Sequence, residues 1–243
     1  MFNFSSFKEN ELMIIKELTL LTNNLASTEE FYAKKLAFPV LDKSNTHISF
    51  SIGHTILSFK LVADKNPYYH FAFSIPSNQI ADAQSYIAQR TIILFYNSES
   101  TVADFSNWNA HAFYFHDYQN SILECIAHHD LPNASDQPFT SSSIIGICEI
   151  GIPVEDVTEA CKIINDAFEV PYFKKGPRLQ VFSVMGDENG LFIVTQVGRG
   201  WLPTQQPAKQ YFTEVVFENK DKARKYVIEG MKGCMTNCIR LRI

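Results

Sequence analysis

Glu149 to Phe168 reads EIGIPVEDVTEACKIINDAF, and two structural periods meet inside it. Glu149 to Ile152 is a short strand-like run. From Val157 onward, Val157, Ala160, Cys161, Ile164 and Phe168 step at three- and four-residue intervals, which is one apolar stripe of an amphipathic helix. The opening pattern, an ionisable residue followed by apolar, small or neutral, apolar, occurs three more times, as Glu17-Leu18-Thr19-Leu20, His70-Phe71-Ala72-Phe73 and Glu214-Val215-Val216-Phe217. Each copy is predicted to turn into a helix: Asn24 to Leu36, with Ser27 and Glu30 at capping-box spacing, Asn78 to Gln89, and about Lys220 to Met231.

Further strand-like runs follow the first three helices. They are His47 to Ser51 and Thr55 to Val62, then Thr91 to Tyr96, His111 to Phe115 and Ile122 to Ala127, then Leu179 to Met185 and Leu191 to Val197. The unit is strand, helix, then two or three strands, with the fourth copy truncated to Asn237 to Ile243 after its helix. LPNASDQPFTSSS, Leu131 to Ser143, has the Pro, Asn and Ser content of a linker, which divides the chain into residues 1–130, 131–143 and 144–243. A second polar stretch, Leu202 to Lys209, separates the third copy from the fourth.

Composition narrows the classes. The 243 residues are 46% hydrophobic and 19% charged with a formal net charge of −5, so the chain can bury a core and carries no basic footprint for nucleic acid or an anionic membrane. The longest apolar stretch, Ile144 to Val154, is short and broken by Glu149, so no membrane span is expected. MFNFSSFKEN lacks the features of a secretory signal, and a cytoplasmic location is the expectation. Cys125, Cys148, Cys161, Cys234 and Cys238 are odd in number and scattered, and they read as ordinary thiols.

Three stretches resemble the vicinal oxygen chelate superfamily, which includes glyoxalases, bleomycin-resistance proteins and extradiol dioxygenases. LASTEEFYAKKLAF (Leu25 to Phe38) is similar to the family's helix and its exit, YYHFAFSIP (Tyr68 to Pro76) to the strand opening a second module, and AFYFHDYQNSILE (Ala112 to Glu124) to its closing hairpin. The resemblance covers residues 13–130 clearly and 144–243 more faintly, where GDENGLFIV (Gly186 to Val194) echoes the hairpin without its Glu. It implies an α+β fold of repeated βαβββ modules, four with the last truncated, forming curled mixed sheets around a cleft. It also implies metal ligands at the ionisable position of a first strand and the Glu of a closing strand. Carried over, that gives His70 and Glu124, with Glu17 in the first module as a third ligand.

Two departures accompany this reading. Glu17 stands where metal-using relatives have His, and Ser58 holds the place of the first module's closing Glu. In the second half, Glu149 and Glu214 take first-strand places while Val194 or Thr195 stands for the closing Glu, so no metal is expected there. One imidazole and two carboxylates suit Mn²⁺, Fe²⁺, Zn²⁺ or Mg²⁺. Each ligand has a plain alternative, His70 as a half-buried strand histidine and Glu17 or Glu124 as a solvated carboxylate. Against the latter, Ile122 and Ile126 share the face of Glu124, where an unpaired carboxylate would be costly.

Tyr68, Trp108, His111 and Tyr114 are expected to line the cleft, with His111 a candidate for proton transfer. His54, His128 and His129 are expected at the surface, and Arg199 in GRGW reads first as an exposed loop arginine, with an anion holder as the alternative. Two functions fit. One is a metal-dependent lyase or dioxygenase chelating a small oxygen-rich or aromatic substrate, with Glu124 or Glu17 doubling as base. The other is a metal-free protein that sequesters a small molecule. Either way the partner is a small molecule, and the chain is expected as a monomer or homodimer.

Overall fold

The computed structural model describes residues 12–220 and 222–228. Module one runs β1 (Ile14–Thr22), α1 (Leu25–Glu29) continuing into a π-helical turn Glu30–Lys35, β2 (Val40–Lys43), β3 (His47–Ile52) and β4 (Thr55–Leu61). Module two is β5 (His70–Ser74), α2 (Ile80–Ala88), β6 (Val102–Phe105), β7 (Ala110–His116) and β8 (Ile122–His128). Module three is β9 (Gly146–Val154), α3 (Val157–Phe168), β10 (Phe182–Asp187) and β11 (Gly190–Gln196). A small hairpin, β12 (Gly200–Trp201) and β13 (Gln206–Pro207), leads to β14 (Thr213–Asn219) and β15 (Lys222–Ile228).

The modules pair one with four and two with three. Strand order is β15-β14-β1-β4-β3-β2 in the six-stranded sheet and β10-β11-β9-β5-β8-β7-β6 in the seven-stranded sheet. In each sheet the first strands of two modules, β1 with β14 and β5 with β9, run antiparallel side by side at the centre. Both sheets therefore draw strands from either side of residues 131–143.

Two-residue alternation assigns the faces. Leu18, Leu20, Leu57 and Phe59 of the six-stranded sheet share one buried cluster with Phe71, Phe73, Leu123 and Phe115 of the seven-stranded sheet. The helices contribute Tyr32, Ile87, Ile164 and Phe168 to the same cluster. On the opposite face of the seven-stranded sheet Tyr114, Ile122, Leu191 and Ile193 form one smaller buried cluster, and Ala72, Ile126 and Cys148 belong to another. The α3 stripe is buried as its spacing predicts, and the helix is capped by the Asp156 carboxylate, which accepts the Glu159 N–H at 2.9 Å.

Three local expectations are corrected. The helix predicted over Lys220 to Met231 is, in its described part, the strand β15. KARKYVI there pairs antiparallel with β14, and Tyr226 packs against Phe168 and Phe192 once β14 turns back at Lys220, whose φ is 52°. Asn237 to Ile243 lies outside the described residues. Thr91 to Tyr96 forms only one bridge, Ile93 to Phe115, and the strand that completes module two is β6 further on. The first helix is capped by Asn24, whose side chain accepts the Ser27 N–H, rather than by a Ser27–Glu30 box.

Candidate metal centre

The register of the seven-stranded sheet builds the centre. Ala72 on β5 pairs with Glu124 on β8 at one side and Glu149 on β9 at the other. Tyr114 on β7 pairs in turn with Glu124, and Leu191 on β11 with Glu149. Tyr114, Glu124, Ala72, Glu149 and Leu191 are thus one row across five strands, and His70 lies two residues from Ala72 on the same face. The methyl of Ala72 leaves the two carboxylates room to approach. A β-bulge supplies the last shift: Ala72 pairs with Glu149 but Phe73 with Ile147, so Cys148 is the extra residue. It throws Cys148 and Glu149 onto the same side while Ile147 and Ile150 stay in the core.

His70, Glu124 and Glu149 are 7%, 3% and 3% exposed, and one donor atom from each lies within 4.8 Å of the others. It is the one such group of three or more among the described residues. The Nδ1–H of His70 donates to the Ile122 carbonyl at 3.1 Å, an arrangement that assigns the lone pair to Nε2. That Nε2 stands 3.7 Å from Glu124 Oε2. Glu149 Oε1 is buried with no hydrogen-bond partner.

Burial dominates the electrostatics. It pushes the His70 pKa down to about 4, so the ring is neutral at physiological pH. It holds both carboxyls above their ordinary range, and the charge of Glu149 raises Glu124 further against a hydrogen bond from the Tyr114 hydroxyl. Three acceptor atoms thus converge in a dry place with no donor among them, which a shared proton or a cation would satisfy. One imidazole nitrogen and two carboxylate oxygens are hard-to-borderline donors, so the residues present fit a divalent metal.

Above the centre is a cleft of about 210 Å³ whose walls include Phe105, Trp108, Tyr114, Phe182, Trp201 and Arg199. Trp201 arrives from the small hairpin, its indole 4.8 Å from the His70 ring. Gly151 makes that approach feasible, since a Cβ there would sit 2.8 Å from Trp201 Cη2. The fourth corner of the ligand square is apolar. Glu149 is the β9 counterpart of His70, Gly151 of Ala72, and Ile193, paired with Gly151, of Glu124. Ile193 lines the cleft where Val194 or Thr195 was expected.

The predicted residues divide accordingly. His70, Glu124, Trp108 and Tyr114 come together. Glu17 does not, because module one pairs with module four: it is exposed on β1 of the other sheet. Glu149, read as belonging to a metal-free half, takes its place. Tyr68 buttresses the hairpin, its hydroxyl donating to the Pro207 carbonyl at 2.7 Å. His111 has the strand parity of Phe113 and not of Tyr114, and its Nδ1 meets His129 Nε2 at 2.7 Å. His54 and His129 are exposed as predicted, but His128 is buried. It shares the face of Glu124 and Ile126 at the far end of β8 and stacks on Trp108 at 6.3 Å.

Among the described residues no helix is long and apolar enough to cross a membrane. No family model and no curated protein matches the sequence. Solved structures do match the fold. A Bacillus subtilis protein titled "putative dioxygenase" aligns over 88% of this chain and 84% of its own with TM-score 0.56 and 13% identity. A variant of glyoxalase I from Zea mays aligns over 88% of this chain and 90% of its own with TM-score 0.50 and 11% identity. At these identities the likeness is one of fold, which this chain shares with both proteins.

Proposed function

We propose that this chain is a metal-dependent enzyme of the vicinal oxygen chelate type, a lyase or dioxygenase acting on a small oxygen-rich or aromatic substrate. The observation that carries the reading is the buried convergence of His70 Nε2 with Glu124 and Glu149, in which Glu149 Oε1 has no partner. A bound divalent ion, Mn²⁺, Fe²⁺, Zn²⁺ or Mg²⁺, would supply Lewis acidity toward two neighbouring substrate oxygens.

The chain's own groups do the rest. The Ile122 carbonyl fixes the tautomer and tilt of His70. The Tyr114 hydroxyl hydrogen-bonds Glu124 and orients that carboxylate. Trp108, Trp201 and Phe182 exclude water and offer flat faces to a ring. Glu149 Oε1, unpartnered and in an environment that favours the neutral acid, is the atom suited to take a proton from the substrate. Ile193 favours the second reading, a metal-free protein that sequesters a small molecule, because it leaves the ligand square one donor short.

Elemental analysis of untagged protein after equilibration with each of the four metals separates the two. Near-stoichiometric metal that a His70→Ala, Glu124→Ala double variant loses supports the enzyme. No retained metal, or equal metal in both proteins, overturns it and leaves the sequestering reading.

A further inference from the structure

The hairpin that closes the cleft brings a cation with it. Gly198 N–H donates to the Ala208 carbonyl at 2.8 Å and Ala208 N–H to the Arg199 carbonyl at 2.7 Å, so the base of the hairpin is a closed pair. Its far strand is tied to module two by Tyr68 and by Gln206 Nε2, which donates to the Asn120 carbonyl at 3.1 Å. Arg199, immediately before β12, and Trp201 within it both line the cleft. The Arg199 guanidinium sits 4.1 Å over the Phe182 ring, and its one side-chain hydrogen bond is a 3.4 Å contact from Nη1 to the Gly200 carbonyl. No carboxylate among the described residues reaches it. A half-buried guanidinium with five donors and an aromatic floor is a costly thing to leave without an anion.

Charge balance points the same way. A divalent ion held by His70, Glu124 and Glu149 would be neutralised by the two carboxylates with His70 neutral, so the charge left over in the cleft would be that of Arg199. In surroundings this apolar the complementary guest carries one negative charge. The walls prefer a planar body, and a cleft of about 210 Å³ suits one ring with its substituents.

From these we infer that the cleft binds a small aromatic monocarboxylic acid. Its carboxylate is held by Arg199, its ring lies between Trp201 and Phe182, and a pair of neighbouring oxygens is turned toward His70, Glu124 and Glu149. The oxygen pair and the charge count rest on the metal reading above. The carboxylate and the ring do not, and the test keeps them apart.

Trp108 and Trp201 are the two tryptophans of the sequence and both line the cleft, so intrinsic fluorescence reports its occupancy. In metal-free protein, benzoate is expected to bind at least tenfold more tightly than the isosteric but neutral benzamide. Arg199→Gln is expected to abolish that preference and Arg199→Lys to keep part of it, with melting temperatures measured alongside. Equal binding of benzoate and benzamide, or a preference that survives Arg199→Gln in folded protein, overturns the inference. In Zn²⁺-loaded protein, 2,3-dihydroxybenzoate is expected to bind more tightly than catechol in wild type and equally in Arg199→Gln. Should Zn²⁺ leave catechol affinity unchanged while the benzoate preference stands, the metal reading falls and the Arg199 site survives.

Discussion

Row for row, the two sheets can be laid over one another. Thr19 stands between Ser58 and Glu214 as Ala72 stands between Glu124 and Glu149, and Glu17 precedes Thr19 by two residues as His70 precedes Ala72. The same backbone thus offers two sites, and the side chains decide which one has chemistry. In the six-stranded sheet Ser58 bonds to Ser49 at 2.8 Å, Glu214 pairs with Lys225 at 2.8 Å and Glu17 is exposed, so every polar group is already satisfied by a neighbour or by water. In the seven-stranded sheet the corresponding groups are buried, and Glu149 Oε1 has no hydrogen-bond partner. The difference teaches that a ligand position inherited through a repeat counts only where burial leaves its charge unanswered.

That comparison can be broken first at Gly151, whose counterpart two residues after Glu214 is Val216. Gly151→Ala places a Cβ against the Trp201 indole and is expected to lower benzoate affinity at least tenfold, read by tryptophan fluorescence, because the ring must leave its place over His70. Val216→Ala is expected to change it less than twofold. Equal effects would show that the hairpin's position over the centre is immaterial.

The next largest effect is on stability in the metal-free protein. Burial keeps a proton on the Glu124–Glu149 pair that the unfolded chain releases above about 4.5, the ordinary glutamate value. The folded state then binds more protons than the unfolded one, so stability falls as pH rises from that value toward the folded-state value. Glu149→Gln removes the cost and is expected to stabilise the metal-free protein by about 1–3 kcal/mol at pH 8, measured by urea unfolding. His70 acts with the opposite sign. The unfolded ring binds a proton near 6.5 and the folded one only near 4, so stability is lost as pH falls between those values. His70→Gln is expected to flatten that acid limb. A pH profile unchanged by either substitution would contradict the dry centre.

The smallest effect belongs to the other sheet. Glu214→Gln breaks a partly exposed pair with Lys225 and is expected to cost under about 1 kcal/mol. A larger loss would mean that the six-stranded sheet depends on its degenerate site.

Much of this was legible in the sequence, for physical reasons that can be named. The strand and helix periods outlined the modules, and His70 and Glu124 stood out through the resemblance of YYHFAFSIP and AFYFHDYQNSILE to the vicinal oxygen chelate superfamily. Glu149 was visible as a first-strand acid, but which modules pair is decided by long-range strand docking, and no local period encodes it. The same gap misplaced Glu17. Lys220 to Met231 reads as a helix only by extension of the repeat, whose other copies follow their first strand with one, whereas tertiary contact of Tyr226 with Phe168 and Phe192 makes its described part a strand. His128 looked exposed beside the linker, whereas strand parity continues one step further and carries it under Trp108. The cleft walls Phe182 and Trp201 come from module three and from the hairpin after it, so they were unassignable until the second and third modules were seen to join.

The most direct test of the central claim is calorimetric titration of Mn²⁺ or Zn²⁺ at pH 7.5 into metal-free wild type, Glu149→Gln and Glu17→Gln. One site per chain in wild type, retained in Glu17→Gln and weakened at least 100-fold in Glu149→Gln, is the predicted result. Absence of a stoichiometric site, or equal binding by Glu149→Gln, would contradict a metal centre in the seven-stranded sheet.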